Sequence, residues 1–173
     1  MGCVINAGVL GECAHNFGGL KELYLGNYDD LEGLEYNADG HVTGATMASG
    51  ATIYEFQFVK NTGQALEELV KAGATSYINQ TLNFQLKAIT QAKKSILDDL
   101  SLAPIFAIVK RADNSYWVYG EPAKSAGLEA ETLTIDTGAA QGDESGATIS
   151  LVGGSLAYAS TVEDSVVEAM LSA

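Results

Sequence analysis

The chain is poor in the residues that carry the sharpest functional signatures. Its two cysteines, Cys3 and Cys13, are too few for a disulfide framework in 173 residues. A reduced, cytosol-assembled protein is the expectation. Its two histidines, His15 and His41, offer little for nucleophilic or metal chemistry. Two prolines against nineteen glycines point to many turns, as in mainly β folds. Nine basic residues face 22 acidic ones, a net charge of −13 at pH 7. That argues against a sequence-reading nucleic-acid binder, whose affinity comes from Lys and Arg on phosphates. It fits a very soluble protein, or a surface that must repel a polyanion. No apolar run approaches the ~20 residues of a membrane span. Met1-Gly-Cys-Val-Ile-Asn6 lacks the basic start of a signal peptide, and Asn6 stands where a myristoylation motif needs Ser or Thr. No membrane partner is expected.

What is present is enough for a core. The chain is 47% hydrophobic and 18% charged, the balance of one folded domain over residues 1–173. The charge is unevenly placed. Residues 1–52 carry seven acids and one Lys, residues 53–111 five acids and seven bases, and residues 112–173 ten acids and one Lys. Two readings of the near-neutral middle stand side by side. It is a face that meets acidic neighbours, or its helix and hairpin simply hold the lysines.

Residues 1–19 are Gly-rich and read as an extended N-terminal arm. Strands are expected from Lys21 to Tyr28 and in a hairpin of Leu34–Asn37 with His41–Met47, turning at Asp39-Gly40 with a type I′ signal. Ile53–Val59 reads as a strand with Tyr54, Phe56 and Phe58 on the core face. The clearest stretch is Tyr77–Lys87. Ile78, Leu82, Phe84 and Leu86 share one face, and Asn79, Thr81, Asn83, Gln85 and Lys87 share the other. Strict alternation of this kind means a half-buried strand with one wet face.

Gln64–Ala72 is ambiguous. Leu66, Leu69 and Val70 fit a helical stripe, and local propensity favours helix. Thr90 is a candidate cap for a helix to about Leu102, with Ile89, Ala92, Ile96, Leu97 and Leu100 as its buried stripe. Ile105–Lys110, apolar on both faces, reads as a central strand with Tyr116–Tyr119 as its partner. Thr132–Asp136, Thr148–Val152 and Leu156–Ala159 are further expected strands, the last two joined at Gly153-Gly154. Residues 161–173 read as a C-terminal tail or a short helix, with Thr161 and Asp164 as a capping pair.

Candidates for chemistry are few. Cys3, Cys13, His15 and His41 lack the paired spacing of a zinc site. Asp29-Asp30 and Asp98-Asp99 read as solvated charge pairs. Tyr116, Trp117 and Tyr119 could stack on sugars or bases, but packing is the plainer reading. No nucleophile motif or phosphate loop occurs. No enzyme, cofactor or metal is expected.

Four segments together resemble a known group: Phe17–Tyr28, Tyr54–Gly63 leading into Tyr77–Leu86, the helix that follows, and Ala107–Gly120. The chain resembles tail-tube and tail-ring structural virion proteins of Bacteroidetes phages and prophages, including crAss-like phages, over most of residues 17–160. The resemblance implies a mainly β (α+β) fold, a β-sandwich or distorted barrel with a long hairpin and one packed helix at about residues 90–102. It implies that Gln64–Ala72 is extended and pairs with Thr75–Ile89. It further implies a homo-oligomeric ring, six- or twelve-fold, that meets other tail or portal proteins and conducts DNA without binding it specifically. The location implied is the virion tail or head–tail junction, with assembly in the host bacterial cytoplasm. Asn79, Thr81, Asn83, Gln85, Lys87, Glu67 and Glu68 would then face the lumen or a neighbouring subunit. A capsid decoration or head-fibre protein and a carbohydrate- or surface-binding β-sandwich module are the competing readings.

Overall fold

The computed structural model describes Gly8, residues 18–140, Asp143 and residues 145–172. The expected arm of residues 1–19, with Cys3, Cys13 and His15, lies almost wholly outside the described residues. Among the described residues the protein is mainly β, with eleven strands and two helices. The strands are β1 (Leu20–Asn27), β2 (Leu31–Tyr36), β3 (Val42–Met47), β4 (Tyr54–Glu55), β5 (Gln64–Ala72), β6 (Thr75–Lys87), β7 (Ile105–Arg111), β8 (Tyr116–Tyr119), β9 (Glu129–Asp136), β10 (Gly146–Ser155) and β11 (Ser160–Val162). The helices are α1 (Gln91–Leu100) and α2 (Asp164–Leu171).

The strands form two sheets that face each other. The larger has the order β2-β3-β11-β8-β7-β1-β4, and the smaller is β5-β6-β10-β9. One core fills the space between them: Leu23, Leu25, Ala107 and Val109 from the large sheet meet Leu82, Phe84, Ile149 and Leu151 from the small one. The leucines at positions 97 and 100 of α1 enter this same core. A second core lies on the far face of the large sheet, where Tyr24, Phe106, Ile108 and Val118 pack under Val166, Val167 and Met170 of α2. β7 is therefore buried on both faces, as its unbroken apolar run Ile105–Val109 requires. The expected mainly β (α+β) fold holds, with two sheets and no closed barrel.

The extended Gln64–Ala72 implied by the resemblance is present: in spite of its helical propensity, nine consecutive residue pairs tie it to β6. The hairpin closes at Gly73, whose φ of +62° suits the first central position of a two-residue turn. Other local expectations change. In the β2–β3 turn only Gly40 takes positive φ, +83°, and Asp39 does not, so the turn is not type I′. The strand expected over Ile53–Val59 shrinks to Tyr54–Glu55. Tyr54 turns outward at 60% exposure, while Ile53 is buried in its place. Beyond Glu55 the chain leaves the large sheet and crosses to the small one, where Val59 N–H donates to Gln85 O at 2.8 Å.

In α1, Thr90 caps as expected, accepting from Lys93 N–H at 3.3 Å. Its buried stripe narrows to Leu97 and Leu100, and Ile96 is 52% exposed. Gly153-Gly154 is not a turn but lies inside β10, where Gly127 O closes on Gly153 and leaves no room for a Cβ. Leu156–Ala159 is a loop; the strand comes later, at Ser160–Val162. Thr161 consequently sits in β11, and α2 starts after Glu163 without a side-chain cap. That second helix is a packed element, not a frayed tail.

Candidate functional site

Among the described residues, the small sheet differs from the large one in having a bare face. Side chains opposite one another in a ladder share a face, so the register defines that surface row by row. Gln64, Asn83, Ser150 and Thr132 form one row across all four strands. Leu66, Thr81, Val152 and Glu129 form the next, and Glu68, Asn79 and Gly154 the third. In the other direction Gln85 lies beside Thr148 and Thr134, and Lys87 beside Gly146 and Asp136. The surface is thus mostly uncharged Asn, Gln, Thr and Ser, with Glu68, Glu129, Asp136 and Lys87 as its charged members.

Of the residues expected on this face, Asn79, Thr81, Asn83, Gln85 and Lys87 share it, and Glu68 joins them from β5. Glu67 does not. Consecutive strand residues point to opposite sides, so Glu67 turns inward opposite Gln80. Its Oε1 accepts from Gln80 Nε2 at 3.2 Å and from Ala159 N–H at 2.6 Å. Glu67 thereby pins the loop after β10 to the hairpin and is corrected from a surface residue to a bracing one.

Gln80 is the residue that pattern reading passed over. It falls in register with Ile78, Leu82, Phe84 and Leu86 and is 1% exposed. Its Oε1 accepts from Gly120 N–H at 3.1 Å. The signal was in the alternation itself: one amide interrupts an apolar series, and a buried amide needs partners.

The edges of the small sheet matter as much as its face. No described strand pairs with the outer side of β5 or of β9. β5 runs nine residues without proline, with Leu66 and Leu69 about half exposed. β9 is less regular, with a register shift opposite Ser150/Leu151, and carries Glu129 and Glu131. Such edges invite pairing with another chain.

Two polar clusters brace the large sheet. Glu121, 2% exposed, accepts from Tyr36 Oη at 2.7 Å and from Ser160 N–H at 2.8 Å, and pairs with Lys124 Nζ at 2.9 Å. Burial, and then the hydrogen bond to Glu121, hold the Tyr36 hydroxyl above its ordinary pKa. Glu22 collects Tyr24 Oη at 2.8 Å, Lys110 Nζ at 3.1 Å and Tyr116 Oη at 3.3 Å. Burial works to raise the Glu22 pKa. The bonds from Tyr24, Lys110 and Tyr116 outweigh it and hold the carboxyl below its usual range.

The three aromatics of β8 do not form one platform. Trp117 and Tyr119 belong to the core between the sheets, Tyr116 to the core under α2. Arg111 also covers the Trp117 ring at 5.2 Å. Asp29-Asp30 sit in a short 3-10 turn, and Asp98-Asp99 are exposed in the last turn of α1. Among the described residues no three His, Cys, Asp or Glu side chains gather as a metal shell.

Comparison with known proteins adds no identification: no family model matches the chain, and neither a curated protein nor a solved structure does.

Proposed function

We propose that this protein is a structural virion component of a phage. It forms a homo-oligomeric ring of the tail tube, tail barrel or head–tail connector, and its small sheet forms the wall of a DNA-conducting channel. The observation that carries the reading is the four-stranded sheet β5-β6-β10-β9, closed on one face by the core and open on the other face and at both edges. Every pairing within it is antiparallel, so its two edge strands run in opposite directions. Placing β9 of one copy beside β5 of the next continues the same antiparallel pattern around a ring.

The chemistry of the bare face suits a channel. Amides and hydroxyls hydrogen-bond water and carry no positive charge to neutralise phosphate, and carboxylates outnumber the single Lys87 there. DNA binding needs Lys and Arg to neutralise phosphates. A wall short of cations lets a polyanion pass. The resemblance to tail-tube and tail-ring proteins supports the same reading.

The test is oligomeric state followed by imaging. Light scattering on the purified protein is expected to give a multimer, and electron microscopy six- or twelve-fold rings with a central hole. A stable monomer at micromolar concentration, with no ring on grids, overturns the reading. Replacing Thr81, Asn83 and Gln85 together by Lys is expected to preserve rings while making them retain DNA at low salt.

A further inference from the structure

A cleft of about 800 Å³ opens between the two sheets, with Glu67 of β5 on one side and Trp117 and Tyr119 of β8 on the other. Arg111, at the end of β7, and Tyr158, in the loop after β10, complete its working surface. The volume is that of a small-molecule site. It lies off the bare face of the small sheet, because Glu67 is on the inward side of β5.

Tyr119 is 5% exposed, and its hydroxyl has no hydrogen-bond partner among the described residues. No fully buried side-chain oxygen or nitrogen there lacks a partner, so this hydroxyl opens to the cleft it lines. A buried tyrosine hydroxyl normally finds a partner, and here the partner must come from the cleft. Burial, and then the charge of Glu67, hold the hydroxyl above its ordinary pKa, while Arg111 works the other way. Both charges thus act on it, and it stays a neutral group that donates and accepts.

Glu67 is half used in the same way. Its Oε1 takes Gln80 Nε2 and Ala159 N–H, while Oε2 accepts no bond among the described residues. The bond to Ala159 also fixes the residue next to Tyr158, and Ser155 Oγ holds Ala157 O at 2.7 Å on the other side. Tyr158 is nonetheless 56% exposed, and its ring makes no aromatic or cation contact among the described residues. The Trp117 ring already carries Arg111, so Tyr158 is the ring left for a ligand.

We propose that this cleft binds a neutral saccharide, with a sugar ring against Tyr158 and its hydroxyls bonded to Tyr119 and Glu67. The lining selects that class. Glu67 and Arg111 are the only charged residues described there, one of each sign, and Arg111 also lies 3.9 Å from Asp113. Neither a free anion nor a cation finds an excess of opposite charge. A sugar offers what remains to be matched: hydroxyls that donate to the carboxylate and accept from Tyr119, and an apolar C–H face for an aromatic ring. The site does not depend on ring assembly and stands or falls apart from it.

Trp117 is the one tryptophan of the chain, so its fluorescence reports on the cleft. The full-length protein is titrated with maltotriose, cellotriose, chitotriose and mannotriose, and with glucuronate and thymidine monophosphate as charged controls. A saturable change in emission is expected with at least one neutral trisaccharide at millimolar concentration, and none with the controls. Tyr119→Phe is expected to weaken that binding about ten-fold, the loss of one hydrogen-bond partner. Its thermal midpoint should hold, since the hydroxyl bonds nothing inside the protein. Tyr158→Ala should abolish the response, and Tyr54→Ala, exposed on β4 away from the cleft, should leave it unchanged. No response to any of the four trisaccharides, an equal response to either control, or full binding by Tyr119→Phe would overturn the proposal.

Discussion

The two sheets face each other across one core yet do opposite jobs. The seven-stranded sheet is covered on both faces, by the small sheet on one side and α2 on the other. Its central strand β7 has no wet side chain between Ile105 and Val109. The four-stranded sheet is covered on one face only, and β6 alternates buried and half-buried residues along most of its length. The large sheet is therefore buried on both faces, and among the described residues the broad bare face belongs to the small one.

The largest expected effect tests that division directly. Phe106→Ala, at a site 0% exposed under α2, should cost about 3–5 kcal/mol in chemical denaturation. Asn83→Ala on the bare face should stay within about 0.5 kcal/mol, as surface changes usually do. Comparable losses at both sites would break the comparison.

Next comes the buried carboxylate that joins the large sheet to its connections. Glu121→Ala removes the partner of Lys124 and the acceptor of Ser160 N–H, and should cost about 3 kcal/mol. Double-mutant cycles with Tyr36→Phe should show coupling, since the Tyr36 hydroxyl donates to the same carboxylate.

Gln80→Leu sharpens the reading of the small sheet. The substitution perfects the apolar series of β6, yet it strands Gly120 N–H without its acceptor. A loss of about 1–2 kcal/mol is expected from thermal or denaturant unfolding, where pattern alone forecasts a gain. An unchanged or raised stability would show that the amide is not needed.

The smallest effect is one of pH. The folded-state pKa of Glu22 lies below its ordinary value of 4.5. Its contribution is therefore present above that value and lost as pH falls through the depressed folded value. Glu22→Gln should flatten the decline of stability below about pH 4.5, measured by denaturant titration at successive pH values. An identical decline in both proteins would remove Glu22 from the acid response.

Much of the fold was legible because burial writes a period into the chain. β6, β7, the β2–β3 hairpin and α1 all follow from spacing and caps. The failures share a cause: each needed a partner that local pattern does not contain. Tyr54–Phe58 alternates like a strand, but the chain must cross between sheets there, and the pairing ends after Glu55. Gly153-Gly154 looks like a turn, but both lie inside β10, and Gly153 is required there because Gly127 O leaves no room for a Cβ. Glu67 and Glu68 read alike as surface carboxylates in the sequence, although neighbours on a strand cannot share a face.

By itself, the sequence determined the mainly β class, the wet face of β6 and the acidic character of the surface. Each of these follows from side-chain chemistry read locally. Local chemistry left Gln64–Ala72 ambiguous, and tertiary structure makes it a strand, because nine pairs with β6 outweigh a helical propensity worth only tenths of a kcal/mol per residue. Tertiary structure also decided that the polar face of β6 extends over four strands, since that surface exists only once strands distant in the chain lie side by side.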